Sequence, residues 1–346
     1  MNVSLEDRKL ISIICPVYNE EKTIPLFYDR LQRAIAPLRE RYDFELIFTN
    51  NRSTDHTLEA IAELRRQDPA VHVMTFSRNF GYQASVLAGL KHALGDGMVV
   101  IDVDCEDPPE LIPLFVAGWE DGNDVAYGIR GNRPESRVLL AARRLFYRLN
   151  RLMADNEVIL DMAEFSLISA HVRDAMVDND STFPFLRAEI GYAGFRRVGI
   201  RYDRQKRIFG HSYYNLFRMV AFAIGGILSS STFLLRLAAY VAPVLIVANI
   251  VLGILAAWSD SAPAFRLLVT LDLTYLLAFT SVLCVYMARI YKDGVNRPIF
   301  IVDWQLSELG QPSRRPPRQM WTTHRKIRPP NADTRSGNHV FTEGQH

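Results

Sequence analysis

Between residue 10 and about residue 130 the chain alternates short apolar runs with stretches of helical period. LISIICPV, FELIFT, VHVMTF, MVVID and DVAYG are rich in β-branched and large apolar residues and predict strands. TIPLFYDRLQRAIAPL, DHTLEAIAELRRQ, YQASVLAGLKHALG and PELIPLFVAGWE predict helices between them. Strand and helix in alternation imply a parallel sheet with helices on both faces. In such sheets ligands bind beyond the carboxyl ends of the strands. Unusual residues gather at those ends here: Pro16 to Glu21, Asn50 to Asp55, Ser77 to Tyr82, and the acidic run that follows MVV.

The pattern changes in the last third. Leu237–Ala257 has no charged residue, and Leu267–Ala288 has only Asp272. Each is long enough to cross the roughly 30 Å hydrocarbon core as a helix, and the short WSDSAPAFR joins them. The two together predict a membrane hairpin; a pair of buried core helices is the competing reading. Arg218 and Arg236 precede the hairpin, Arg289, Lys292 and Arg297 follow it, and the joining loop has Arg266 alone. Positive residues mark the cytoplasmic side, so both termini of this integral membrane protein are expected in the cytoplasm. Asp272 is costly against lipid and is expected to reach water or a neighbouring subunit. The N-terminus MNVSLEDRKL lacks a signal-peptide core.

These features divide the 346 residues into a cytoplasmic α/β domain at 1–212, interfacial helices at 213–236, the hairpin at 237–288, a cytoplasmic return segment at 289–310, and a basic, disordered tail at 311–346. Residues 137–154 carry a further amphipathic helix with arginines on one side. A net charge of +2 gives no reason to expect a nucleic-acid partner. Cys15, Cys105 and Cys284 are odd in number and widely spaced, which suggests neither a disulfide framework nor a zinc cluster.

The chemistry starts where the strand MVVID meets Asp102, Asp104, Glu106 and Asp107. A solvated turn would explain them. So would a cation. Asp107 can cap a helix that opens on Pro108 and Pro109. Asp102 and Asp104 are then left as a pair that can reach one divalent cation, Mg²⁺ or Mn²⁺, which takes hard oxygen ligands and shares them with substrate phosphates.

At this point the chain resembles the family 2 glycosyltransferases, of the polyprenyl-phosphate sugar transferase type that includes dolichol-phosphate mannose synthase and undecaprenyl-phosphate glucosyltransferases. The segments that carry the likeness are SIICPVYNEEKTI, NNRSTDHT, FSRNFGYQASVLAGL, DVDCEDPPELIP, VAYGIRGNR, YDRQKRIFGHSYY and the hairpin with its trailing KDGVNRPIFIV. The resemblance implies a GT-A fold, a Rossmann-like, parallel-core α/β sheet flanked by helices. It implies Pro16, Tyr18 and Glu20 near a nucleoside, with Asn50, Asn51 and Ser212 also on the donor. It implies Asp102 and Asp104 on the metal, and Glu164, Arg204 and Arg207 with Asp104 in catalysis. It implies a nucleotide-sugar donor, UDP-linked by preference, a polyprenyl-phosphate acceptor at the bilayer, and assembly into a homo-oligomer through the membrane helices.

Three places depart from the family pattern. Asn50, Asn51 and Arg52 stand where Asp-Asp-Gly is usual, which leaves the base in question. In DMAEFSL, Ala163, Glu164 and Ser166 replace Gly, Asp and Arg. Glu164 keeps the carboxylate on a longer arm and is expected to position the acceptor, although a surface acid on an edge strand is the plainer reading. Tyr213 replaces a lysine in the basic segment, where Arg201, Arg204, Lys206 and Arg207 could bind phosphate or could line a solvated loop. The reading these features support is inverting sugar transfer to a polyprenyl phosphate. The alternatives are another lipid or glycan acceptor, or a non-catalytic nucleotide-sugar-binding subunit.

Overall fold

The structure, a computed structural model, describes residues 8–131, 162–177, 186–205, 232–259, 262–295 and 297–309. Seven strands form one sheet in the order β3-β2-β1-β4-β6-β5-β7. They are β1 Lys9–Val17, β2 Tyr42–Asn50, β3 Val71–Thr75, β4 Gly97–Val100, β5 Val125–Arg130, β6 Met162–Ser169 and β7 Arg197–Tyr202. β1 to β4 pair in parallel, as their intervening helices require. β6 runs antiparallel between β4 and β5. The sheet is therefore mixed, with the parallel core that the motifs imply.

Helices cover both faces. α1 (Thr23–Ile35) buries Ile24, Phe27, Leu31, Ala34 and Ile35, a single stripe at helical spacing. With α2 (Thr57–Gln67) and α4 (Ile112–Glu120) it covers one face, where Phe115 meets Phe165 of β6 at a centroid distance of 4.6 Å. Each such fully buried phenyl contributes about 1.5–3 kcal/mol. α3 (Tyr82–His92), α5 (Ala170–Val177) and α6 (Leu186–Ala193) cover the other face. α3 sits close enough to β1 that a Cβ at Gly89 would lie 2.3 Å from Ile14 Cγ2.

All eight residues of β6 are buried. The edge-strand reading of Glu164 is thus wrong: β6 is internal, and Glu164 is 7% exposed. The alternation of Glu164 and Ser166 with Phe165 and Leu167 suits a strand, but its place between β4 and β5 depends on long-range pairing with no local signal.

The two apolar runs are α7 (Phe233–Ser259) and α8 (Ala262–Val295), both long and apolar enough to cross a membrane. Their side chains face outward, with Val244 68% and Leu277 61% exposed, so the core-helix alternative fails. Asp272 accepts a hydrogen bond from Asn249 Nδ2 at 2.7 Å. This donor lies on the adjoining helix α7. The helix expected at 137–154, the interfacial segment before Thr232 and the tail lie outside the described residues. The return segment bridges the sheet edge, pairing Glu308 with Val73 and Val302 with Phe76.

Candidate active site

Three loops leave the carboxyl ends of β1, β2 and β4, and each contains one non-glycine residue with positive φ: Asn19 (57°), Arg52 (60°) and Cys105 (57°). These are the only such residues among those described. Backbone of this kind is concentrated at functional sites, where the surroundings must enforce it. The ladder from β1 to β4 ends at Ile14 and Val100, so Pro16 lies past it and the missing amide costs no pairing there.

The first two loops are stitched together. Asn19 Oδ1 accepts from Thr54 N at 2.8 Å, Asn19 N donates to Ser53 Oγ at 3.0 Å, and Glu20 N donates to Thr57 Oγ1 at 2.8 Å. The Glu20 carboxylate accepts from Thr23 Oγ1 at 2.6 Å. Asp55 lies just before α2, accepting from Thr57 N at 3.1 Å and Thr57 Oγ1 at 2.6 Å. Asn50 and Asn51 are buried. Asn50 Oδ1 accepts from Ser53 N at 3.0 Å, and Asn51 Oδ1 from Phe80 N at 2.8 Å. Their amide oxygens therefore shape the loop. Tyr18, 45% exposed, presents its ring at the loop surface.

The third loop holds the acids. Asp102 Oδ1 accepts from Tyr82 Oη at 2.9 Å, and Asp104 Oδ1 from Glu106 N at 3.0 Å. Burial pushes the Asp102 carboxyl up to about 7, helped by the charges of Asp104 and Asp107. The Tyr82 phenol is raised by burial and then by Asp102 and Glu164. Glu164 stands opposite on β6. Its Oε1 accepts from Arg187 Nε at 2.9 Å and from Gln83 Nε2 at 3.3 Å. Its Oε2 is buried with no hydrogen-bond partner among the described residues. A carboxylate oxygen in that state costs free energy until something donates to it.

Asp107 does not cap the helix after Pro108, which has no side-chain cap. It accepts instead from Tyr202 Oη at 2.5 Å and Arg130 Nη2 at 2.9 Å. The cap fails because β7 brings Tyr202 to the same point, a long-range contact with no local signal. Arg204, one turn of chain further on, pairs with Glu106 and lies 3.6 Å from Asp107. Gln205 N donates to Glu106 O at 2.9 Å. The start of the basic segment is thus docked on the acidic loop. Arg207 and Ser212 lie outside the described residues. Tyr82, Gln83, Arg130, Arg187 and Tyr202 have no assigned role in the sequence reading, although all but Arg187 lie in segments that carry the family likeness.

Among the described residues no three His, Cys, Asp or Glu side chains converge as a ready metal cage. A cation that shares its coordination with a substrate diphosphate needs only one or two carboxylates. Asp102, whose carboxyl is pushed up by burial and then by the charge of Asp104, and Asp104 are hard oxygen donors and fit that role.

The family model described as glycosyl transferase family 2 matches residues 12–222. An uncharacterized glycosyltransferase, YkcC, of Bacillus subtilis (strain 168) is 33% identical over 300 residues, 84% of this chain and 92% of the relative. The bactoprenol glucosyl transferase of Shigella phage SfII is 32% identical over 318 residues, covering 87% and 99%. A prophage bactoprenol glucosyl transferase homolog of Escherichia coli (strain K12) is 34% identical over 253 residues, covering 72% and 80%.

Proposed function

The chain belongs to glycosyl transferase family 2, and on that premise we propose that it moves a hexose from a nucleotide-sugar to polyprenyl phosphate at a membrane surface. One observation carries the reading: an acid cluster with an unmet hydrogen-bond acceptor, at the functional edge of the sheet. Two apolar helices long enough to anchor it to a bilayer support the lipid acceptor, as do the names of the bactoprenol relatives. The Lys and Arg flanking the hairpin support a cytoplasmic placement of the site.

In the transfer an oxygen of the lipid phosphate bonds to the anomeric carbon. The bond from that carbon to the diphosphate breaks, the nucleoside diphosphate leaves with the electron pair, and configuration inverts. Asp102 and Asp104 would hold the divalent cation, which offsets charge growing on the departing diphosphate. Tyr82 steadies Asp102 through its hydroxyl. Arg204, already at the acidic loop, supplies positive charge beside the same diphosphate, with Arg207 and Ser212 following in the basic segment. Pro16, Tyr18 and Glu20 line the nucleoside side, and Asn50 and Asn51 hold the turn against it.

Glu164 orients rather than deprotonates. A phosphate monoester has its second pKa near about 6, so much of the acceptor is ionised at neutral pH. What remains useful is a fixed acceptor for a hydroxyl, and Glu164 Oε2 offers one. Uridine is the preferred base.

The test is transfer by purified full-length protein from a panel of UDP- and GDP-sugars to undecaprenyl phosphate, read by mass spectrometry of the lipid. A sugar-phosphate-lipid product from one donor, lost in Asp104→Ala, is expected. Undiminished turnover in Asp104→Ala would remove the cation from the scheme, and no lipid product from any donor would remove the acceptor.

A further inference from the structure

Strand β3 forms one edge of the sheet, and the chain that leaves α8 comes back to cover it. Ser77 N donates to Ile301 O at 2.9 Å, Asp303 N to Thr75 O at 2.8 Å, and Glu308 N to Val73 O at 2.8 Å. Val73 N donates back to Glu308 O at 3.0 Å. Between these bonds the segment bulges through a short turn at Trp304–Leu306. Ser307 Oγ fills the gap, accepting from Thr75 N at 2.8 Å. Phe300 and Val302 pack beneath it against Met74, Phe76 and Ala88. Residues 300–309 are therefore an added, irregular edge strand, covalently continuous with the second apolar helix.

This segment reaches the turn after β2 directly through Asp303 and indirectly through Thr75 of β3. Arg52 Nη1 donates to Asp303 Oδ2 at 2.9 Å. Thr75, whose amide and carbonyl both bind the segment, lies 3.4 Å by its hydroxyl from Asn50 Nδ2. Asn50 in turn fixes Ser53. Arg52 has a φ of 60° where a glycine would rest without strain, so its conformation needs support from outside the turn. Asp303 gives it.

We propose that residues 300–309 act as a strap that sets the donor side of the site, with Asp303 as a positioning residue working through Arg52 on the turn Asn50–Ser53. This rests on the reading that the turn lies against the donor's nucleoside. The consequence is a link between anchoring and donor affinity: the wall behind the nucleoside turn belongs to the chain leaving the membrane hairpin. A family turn of Asp-Asp-Gly-Ser type needs no such clasp. Here Arg52 replaces the glycine, and its ion pair replaces the glycine's freedom.

The test uses full-length protein in detergent with Mn²⁺ and whichever of UDP and GDP the native chain binds more tightly, measured by calorimetry. The pair is partly exposed, with side chains 45% and 27% accessible, so Asp303→Asn is expected to raise Kd roughly two- to fivefold. Donor KM should rise in step, with kcat at saturating donor and the unfolding midpoint unchanged. Arg52→Asp should do the same, since aspartate tolerates positive φ. Combining Arg52→Asp with Asp303→Arg restores the pair in reverse and should return Kd to within about twofold of native. A purely structural contact would move the midpoint and would not be rescued through affinity. Native Kd in Asp303→Asn, or no rescue in the double variant, overturns the strap while the donor reading stands. A native chain that binds neither nucleotide overturns both.

Discussion

Two glutamates in this sheet are equally buried, each 7% exposed, and they lie toward opposite ends of it. Glu45 pairs in register with Ser12 on β1. It accepts from the Ser12 hydroxyl and from Leu94 N at 2.8 Å, and Ser12 Oγ also accepts from Gly95 N at 2.8 Å. Both bonds to Glu45 fall on Oε1, and its Oε2, unlike that of Glu164, is not among the buried atoms left without a partner. Glu164 has Arg187 and Gln83 on one oxygen and nothing on the other. The first acid closes a loop onto the sheet. The second keeps a buried acceptor unspent, near Asp102 and Tyr82, whose ionisation its charge opposes. The difference separates architecture from chemistry where burial alone cannot.

Substitutions should split along the same line. Glu164→Gln keeps the shape but removes the charge, and should lower kcat about 10²-fold while leaving the folded state intact. Steady-state transfer assays and circular dichroism read the two effects. Glu45→Ala should do the reverse. It strands the Ser12 hydroxyl and the Leu94 amide, at about 1–3 kcal/mol for each buried group left unpaired, and lowers Tm by several degrees. Activity per folded molecule should stay at the native level. If Glu45→Ala lowers turnover without lowering Tm, the contrast fails.

A smaller effect concerns pH. The folded Asp102 carboxyl sits near 7, above its unfolded value of about 3.9. The folded state therefore binds the extra proton in that interval. This contribution to stability is complete below about pH 4 and is lost as pH rises through about 7. Cation-free protein should lose Tm between pH 6 and pH 8, and Asp102→Asn should flatten that slope. Added Mn²⁺ should raise Tm more at pH 8 than at pH 6, since the carboxylate must be free of its proton to bind. Thermal melts at both pH values, with and without Mn²⁺, check both signs.

Much of this was legible in the sequence for a physical reason. The parallel strands and their helices announce themselves by period, and the acids at Asp102 and Asp104 stand out because like charges at the end of a buried strand need a cause. Pairings across distance were not legible. Nothing local says that Asp107 meets Tyr202 and Arg130, that MAEFSLIS runs backwards inside the sheet, or that Asp303 returns to Arg52. Asn50 and Asn51 were read for their ability to meet a base. Their oxygens hold backbone amides, a use that the residue type allows but does not announce.

The most direct measurement is Mn²⁺ binding to the full-length protein in the presence of UDP, followed by loss of the free-ion signal in electron paramagnetic resonance. The native chain is expected to take up one Mn²⁺ per chain together with UDP, and Asp102→Asn/Asp104→Asn to take up none. Equal uptake by the double variant would contradict the assignment of these two carboxylates to the cation.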